Sequence, residues 1–217
     1  MIDALVPVKR LSAAKSRLLT GPDRSAAGRL TLAMLDDVLA ALFAAEHVAR
    51  VAVVTPDAEV AAHAEAAGAL AVLRPDPGLN ASLDDGAAWL AKRADAADGL
   101  LVVLGDVAGA TARDLDAACA ALAGLDRPGA VLCPARDGGT AALARAPHDA
   151  LPSRFGPASA ARHREAAAAA GVPLRELALP SLGIDLDEPE DIRAFLAMPG
   201  AGGARTRRML AELGLAS

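Results

Sequence analysis

Asp106 follows an almost wholly apolar run, Leu100 to Leu104, and stands where a solitary charge is costly unless it pairs or holds a cation. Much later, Gly183-Ile184-Asp185-Leu186-Asp187-Glu188-Pro189 puts two more carboxylates on alternate residues, just ahead of a helical stretch. Hard oxygen ligands on two separate loops, with positions left over for water and phosphate oxygens, match the way proteins hold Mg²⁺ in phosphoryl-transfer sites. Asp187 has a plainer reading as a helix N-cap, since Asp-x-Pro is a common helix start.

Cations gather at the other end of the chain. Lys9, Arg10, Lys15 and Arg17 fall within nine residues of an otherwise acidic protein, and such a field suits a polyphosphate, although a solvated basic loop would look the same. Asp76-Pro77-Gly78-Leu79-Asn80-Ala81-Ser82 is a turn that opens a helix; Gly78 would let main chain approach a flat ligand, or the segment is an ordinary Pro-Gly turn. Arg136-Asp137-Gly138-Gly139-Thr140 and Phe155-Gly156-Pro157-Ala158-Ser159 each set small residues around a hydroxyl, the second at a helix start where free amides favour an anion. His163 lies one turn into that helix, either assisting the anion or satisfied in the core. None of the four histidines sits in a nucleophile-triad context, and no Walker loop or G-x-G-x-x-G follows the first strand, which sets aside ATPase and dehydrogenase chemistry.

These residues need a scaffold, and the apolar periodicity supplies one. Strands are expected at Ile2 to Val8, Val51 to Thr55, Ala69 to Leu73, Leu100 to Leu104, Ala130 to Cys133 and near Leu177 to Leu179. Helices are expected at Ser25 to Ala45, Ala58 to Ala67, Ala81 to Ala94, Ala112 to Leu122, Ala158 to Ala170 and Pro189 to Leu196. The alternation predicts one α/β domain over 1–199, a mostly parallel sheet with helices on both faces. Residues 105–111 and 134–157 read as long irregular stretches after strands, where open α/β sheets bind ligands. Pro199-Gly200-Ala201-Gly202-Gly203 then separates a basic segment, 200–217, a tail or helix packing on the same domain.

Composition narrows the partners. A chain of 217 residues suits a single domain, and no apolar run approaches the roughly 20 residues that span a bilayer. Without a secretory leader pattern, a soluble, cytoplasmic protein is expected. A net charge of −5 with 2% aromatics and no Tyr disfavours nucleic acid. Cys119 and Cys133 lack the spacing of a zinc or redox site and read as small buried hydrophobes.

Taken in order, Val6-Pro7-Val8-Lys9, Ala14-Lys15-Ser16-Arg17-Leu18, Asp76-Pro77-Gly78-Leu79-Asn80, Leu104-Gly105-Asp106, Gly138-Gly139-Thr140, Phe155-Gly156-Pro157-x-Ser159 with His163, and Asp185-x-Asp187-x-Pro189 resemble one family. It is that of the 2-phospho-L-lactate / phosphoenolpyruvate guanylyltransferases of coenzyme F(420) biosynthesis, relatives of the molybdenum-cofactor and sugar-phosphate nucleotidyltransferases. The resemblance spans nearly the whole chain. It implies a nucleotide-diphospho-sugar transferase (Rossmann-like nucleotidyltransferase) fold, Mg²⁺ as cofactor, GTP as donor and a phosphorylated three-carbon acid as acceptor. By position, it implies Lys15 and Arg17 on the triphosphate, catalytic together with Asp106. Pro7, Lys9, Gly78, Asn80 and Ser82 would surround the nucleotide. Asp106 and Asp187, with Asp185 near, would hold Mg²⁺, and Thr140, Gly156 and Ser159 would bind the acceptor.

The chain departs from the family pattern in three places. Val107-Ala108 follows the strand-end Asp where the family has Leu-Pro, Ala141 stands for Asn and Ala160 for Phe, so the acceptor pocket is expected to lack an amide and a ring. The implied reaction is in-line attack of the acceptor phosphate on the α-phosphorus of GTP, with pyrophosphate leaving and no covalent enzyme intermediate. Two other readings keep the fold: a nucleotidyltransferase for a sugar phosphate or a pterin cofactor, and a nucleotide sensor without turnover. Nucleic acid and membrane are not expected partners, and a homodimer is compatible with the sequence.

Overall fold

The structure, a computed structural model, describes residues 1–13, 24–200 and 202–216. Strands β1 (Ile2–Pro7), β2 (Val48–Thr55), β3 (Leu70–Leu73), β4 (Leu100–Val103), β5 (Gly129–Pro134), β6 (Thr140–Ala146) and β7 (Leu174–Glu176) form one sheet in the order β3-β2-β1-β4-β6-β5-β7. β1, β2, β3 and β4 run parallel, as do β5 and β7, while β6 is antiparallel to both β4 and β5. The helices are α1 (Arg24–Ala44), α2 (Ala58–Ala66), α3 (Leu79–Ala91), α4 (Ala112–Ala123), α5 (Ser159–Ala170), α6 (Pro189–Ala197) and α7 (Ala204–Glu212).

Side-chain alternation along the strands divides the core between the two faces. Ala4 and Val6 of β1, with Val51 and Val53 of β2, pack under α1, α2 and α4. Leu5, Ala52 and Val54 face the other way, against Leu83, Ala87 and Leu90 of α3 and Ala160 of α5. Strands buried on both sides read as near-continuous apolar runs, which is why β1, β2 and β4 stand out in the sequence. Cys119 and Cys133 are buried as expected, and burial pushes both thiols up to about 12. No described helix is long and apolar enough to cross a membrane.

Two expectations are corrected. The stretch 134–157 contains a strand, β6, every residue of which is buried. The last strand is Leu174–Glu176 rather than Leu177 to Leu179, because β7 pairs Ala130 with Leu174 and Leu132 with Glu176. Of the tail or helix expected for the basic segment, the described residues form the helix α7: Asp37 of α1 accepts from the Arg205 and Thr206 amides at 3.1 and 2.7 Å, capping α7 from outside its own chain segment.

Candidate active site

The singled-out residues that are described converge at the carboxyl ends of the parallel strands, and three local devices bring them there. Asp57 caps α2 through Glu59 N and also accepts from Leu11 N at 3.0 Å, which fixes where the chain goes after Pro7, Val8 and the exposed Lys9. Beyond β5, Asp137 accepts from Gly139 N at 2.7 Å and closes the turn that starts β6 at Thr140. Ser181, in the 3-10 turn Pro180–Leu182, donates its amide to Asp114 and accepts from Thr111 N, which aims the following segment at the sheet edge.

That segment carries the downstream acids. Leu186 N donates to Asp106 O at 3.3 Å, so the two acidic loops lie side by side. Arg136 N donates to Gly183 O at 3.1 Å and adds the Asp137 turn to the group. Burial first, and then the charges of Asp106, Asp137 and Asp187, push the Asp185 carboxyl up to about 6. Like-charged carboxylates held together at a strand end are relieved by a cation, and their oxygens are hard donors. Among the described residues no group of three or more His, Cys, Asp or Glu side chains is placed to hold a metal ion. Carboxylate oxygens that leave positions open for water and substrate phosphate are donors of the kind Mg²⁺ takes. Asp187 is not the helix cap: Glu188 is, in a reciprocal capping box with Asp191.

The nucleotide loop shows a division of labour. Gly78 is the residue before α3 and has φ of 103°, in the region that favours glycine, while open space lies over its α-carbon. Its conformation, rather than a neighbouring atom, is what demands glycine. The Asn80 side chain is committed elsewhere: its Oδ1 accepts from Phe155 N at 2.7 Å and its Nδ2 donates to Phe155 O at 3.1 Å. Asn80 thus ties this loop to the Phe155-Gly156 loop, and Ser82, half-buried, follows one turn in. Lys15 and Arg17 lie outside the described residues.

Thr140, Ser159 and His163 meet beneath the third loop. Ser159 Oγ donates to Thr140 Oγ1 at 3.0 Å, and Thr140 Oγ1 lies 3.0 Å from His163 Nδ1. Ser159 is the first residue of α5, behind Ala158, and is buried. Ala141 and Ala160 are buried as well, as are Val107 and Ala108. Positions 107, 108, 141 and 160, where this chain departs from the family pattern, thus carry small or aliphatic side chains packed in the interior.

His163 is the core-satisfied alternative made concrete. Burial, then the charges of Arg145, Arg162 and Arg154, push its ring down to about 4. The unfolded chain, with an ordinary His, binds a proton first, so folding free energy is lost as pH falls from 6.5 towards about 4. Between about pH 7.5 and pH 5 this single group costs about 2 kcal/mol. Denaturant melts at both pH values should show that drop, and His163→Gln should reduce it by most of this amount; an unchanged slope would place the titration elsewhere.

A cleft of about 790 Å³ lies at the opposite end of the sheet, lined by Lys92, Asp98, Arg127, Arg145, His148 and Asp149 among others. Its acids and bases offset one another, and it holds none of the residues that converge above. Ligands of open α/β sheets sit at the carboxyl ends of the strands, which makes the first site the candidate.

The structure brings the two acidic loops side by side and pairs the Thr140 and Ser159 hydroxyls, whereas Asp137 as a neighbour of the acids and the Asn80 clamp were not visible in spacing. Residues 2–217 match the family model described as guanylyl transferase CofC like. A phosphoenolpyruvate guanylyltransferase of Sphaerobacter thermophilus is 45% identical over 202 residues, covering 93% of this chain and 95% of the relative. A 3-phospho-D-glycerate guanylyltransferase of Phenylobacterium zucineum is 38% identical, covering 98% and 97%. A Desulfovibrio desulfuricans crystal structure described as a candidate nucleotide-diphospho-sugar transferase superposes with a TM-score of 0.79 at 18% identity over 100% of this chain and 97% of that one, a likeness of fold. The chain belongs to the CofC-like family of guanylyl transferases and is an enzyme of that class.

Proposed function

We propose that this enzyme transfers GMP from GTP to a small phosphorylated three-carbon acid, phosphoenolpyruvate first among them, with release of pyrophosphate. The observation that carries the proposal is the gathering of Asp106, Asp185 and Asp187 beside the Thr140–Ser159 pair at one sheet edge. Asp106 and Asp187, with Asp185 near, would hold Mg²⁺ together with water and phosphate oxygens, and the ion when bound neutralises charge on the phosphates. An oxygen of the acceptor phosphate forms a bond to the α-phosphorus while the bond to the β-phosphate oxygen breaks, and pyrophosphate leaves. The chain's part is positioning and charge. Lys9 stands at the end of β1, Lys15 and Arg17 are assigned the triphosphate by resemblance, and Pro7, Gly78 and Ser82 border the nucleotide. Gly156, Thr140 and Ser159 receive the acceptor's anionic groups. GTP as donor is in keeping with a cytoplasmic reaction, without nucleic acid or membrane.

The test is pyrophosphate release over four nucleoside triphosphates against phosphoenolpyruvate, 2-phospho-L-lactate, 3-phospho-D-glycerate and a sugar 1-phosphate. GTP with one of the three acids should turn over and should stop on chelation of divalent metal. Turnover confined to the sugar phosphate would assign a different acceptor class, and GTP binding without pyrophosphate from any acceptor would make the protein a sensor.

A further inference from the structure

His163 is fully buried and its two ring nitrogens face different kinds of partner. The main-chain N–H of Arg154 donates to Nε2 at 3.0 Å, and a nitrogen that accepts an amide proton cannot carry one of its own. In the neutral ring the proton therefore sits on Nδ1, which lies 3.0 Å from Thr140 Oγ1.

The consequence is a count of protons. Nδ1–H, the Thr140 hydroxyl and the Ser159 hydroxyl bring three protons to two internal contacts, His163 to Thr140 and Ser159 to Thr140. One hydroxyl proton is left over for a group outside the trio. With the opposite tautomer, Thr140 would donate to Nδ1 and Ser159 to Thr140, both hydroxyl protons would be used up, and only lone pairs would remain. Lone pairs repel an anion, whereas a spare O–H binds one. Arg154 lies in the loop that Asn80 holds through Phe155, so the same loop that borders the acceptor also fixes the tautomer.

Resting on the acceptor assignment above, we infer that His163 is a positioning residue: held in its Nδ1–H form by the Arg154 amide, it makes the Thr140–Ser159 pair a hydrogen-bond donor to the acceptor's carboxylate or phosphate. Two replacements separate this role from simple core filling. In His163→Asn the side-chain amide nitrogen can take the place of Nδ1 and donate to Thr140. In His163→Gln the longer side chain can offer its oxygen to the Arg154 amide but no longer donates at the Nδ1 position.

Melting curves, GTP titration and steady-state kinetics are measured for wild type and both variants. A hydrogen bond to a charged group is worth roughly one to two powers of ten in affinity, so His163→Gln should raise the acceptor KM about 10-fold or more with GTP affinity within about 3-fold of wild type. His163→Asn should hold the acceptor KM within about 3-fold. Equal losses in both variants, losses that follow melting temperature, or no change in either overturn the inference. Wild-type enzyme inactive on every phosphorylated acid would instead overturn the acceptor assignment, so the two failures are distinguishable.

Discussion

Asp106→Asn lowers turnover by about 10³-fold or more and leaves the melting temperature unchanged or higher. Both halves follow from one arrangement. Asp106 ends the run of β4, its carbonyl receives the amide of Leu186, and its charge is the first electrostatic cause, after burial, of the raised Asp185 carboxyl. Removing that charge lowers the repulsion among the acids in the metal-free protein, which favours the fold. The same change replaces one carboxylate oxygen by an amide nitrogen and removes the negative charge that, in the proposed reaction, would hold a divalent cation against the triphosphate, so catalysis should fail. Steady-state turnover at saturating metal, paired with thermal melts in chelator, checks both. Activity above about a tenth of wild type would remove Asp106 from the mechanism, and a large fall in melting temperature would make it a structural residue.

Gly202→Ala costs about 3 kcal/mol and lowers the melting temperature by roughly 6–12 °C, with activity falling alongside. A methyl on Gly202 would run into the Gly109 carbonyl and would lie 3.2 Å from that of Ala110. All of these are main-chain atoms that cannot swing away, so the segment leading into α7 has to lift. The apolar cluster around α7 joins Leu210, Phe195 and Ile192 to Ala108, Ile184 and Leu186, the residues next to Asp106 and Asp185. Helix α7 is thus a common support for both acidic loops, and loosening it moves the carboxylates that the proposed reaction needs fixed. A melt unchanged within about 1 °C would show that the segment repacks freely and supports nothing.

Legibility in the sequence followed burial and locality. β1, β2 and β4 are covered on both faces, and their Val- and Leu-rich runs announce themselves, so the amino-acid pattern alone locates the acids and turns at their ends. β6 reads Thr-Ala-Ala-Leu-Ala-Arg-Ala: its alanines have helical propensity, and the buried Arg145 interrupts an apolar run, so only pairing with β4 and β5 makes it a strand. The terminal arginines read as a basic tail or helix with no partner assigned. Arg207 instead lies over the Phe195 ring at 4.6 Å and donates to the Leu196 and Phe195 carbonyls at 3.0 and 2.9 Å, closing the end of α6.

Within the site, residue types were legible and partners were not. Spacing suggests that Asn80 borders a loop, but not that both ends of its amide grip Phe155, 75 positions away. From spacing, His163 is able either to touch an anion or to rest in the core. The fold makes it a buried ring whose influence on an anion would pass through the Thr140 hydroxyl, a distinction that depends on which ring nitrogen meets the Arg154 amide.

The most direct test of the account follows the α-phosphate. GTP labelled at that position, incubated with the enzyme, Mg²⁺ and phosphoenolpyruvate, should deliver its label to a phosphatase-resistant adduct in step with pyrophosphate. Label that stays in GTP, or that appears as free GMP at the same rate with and without the acid, would contradict guanylyl transfer to this acceptor.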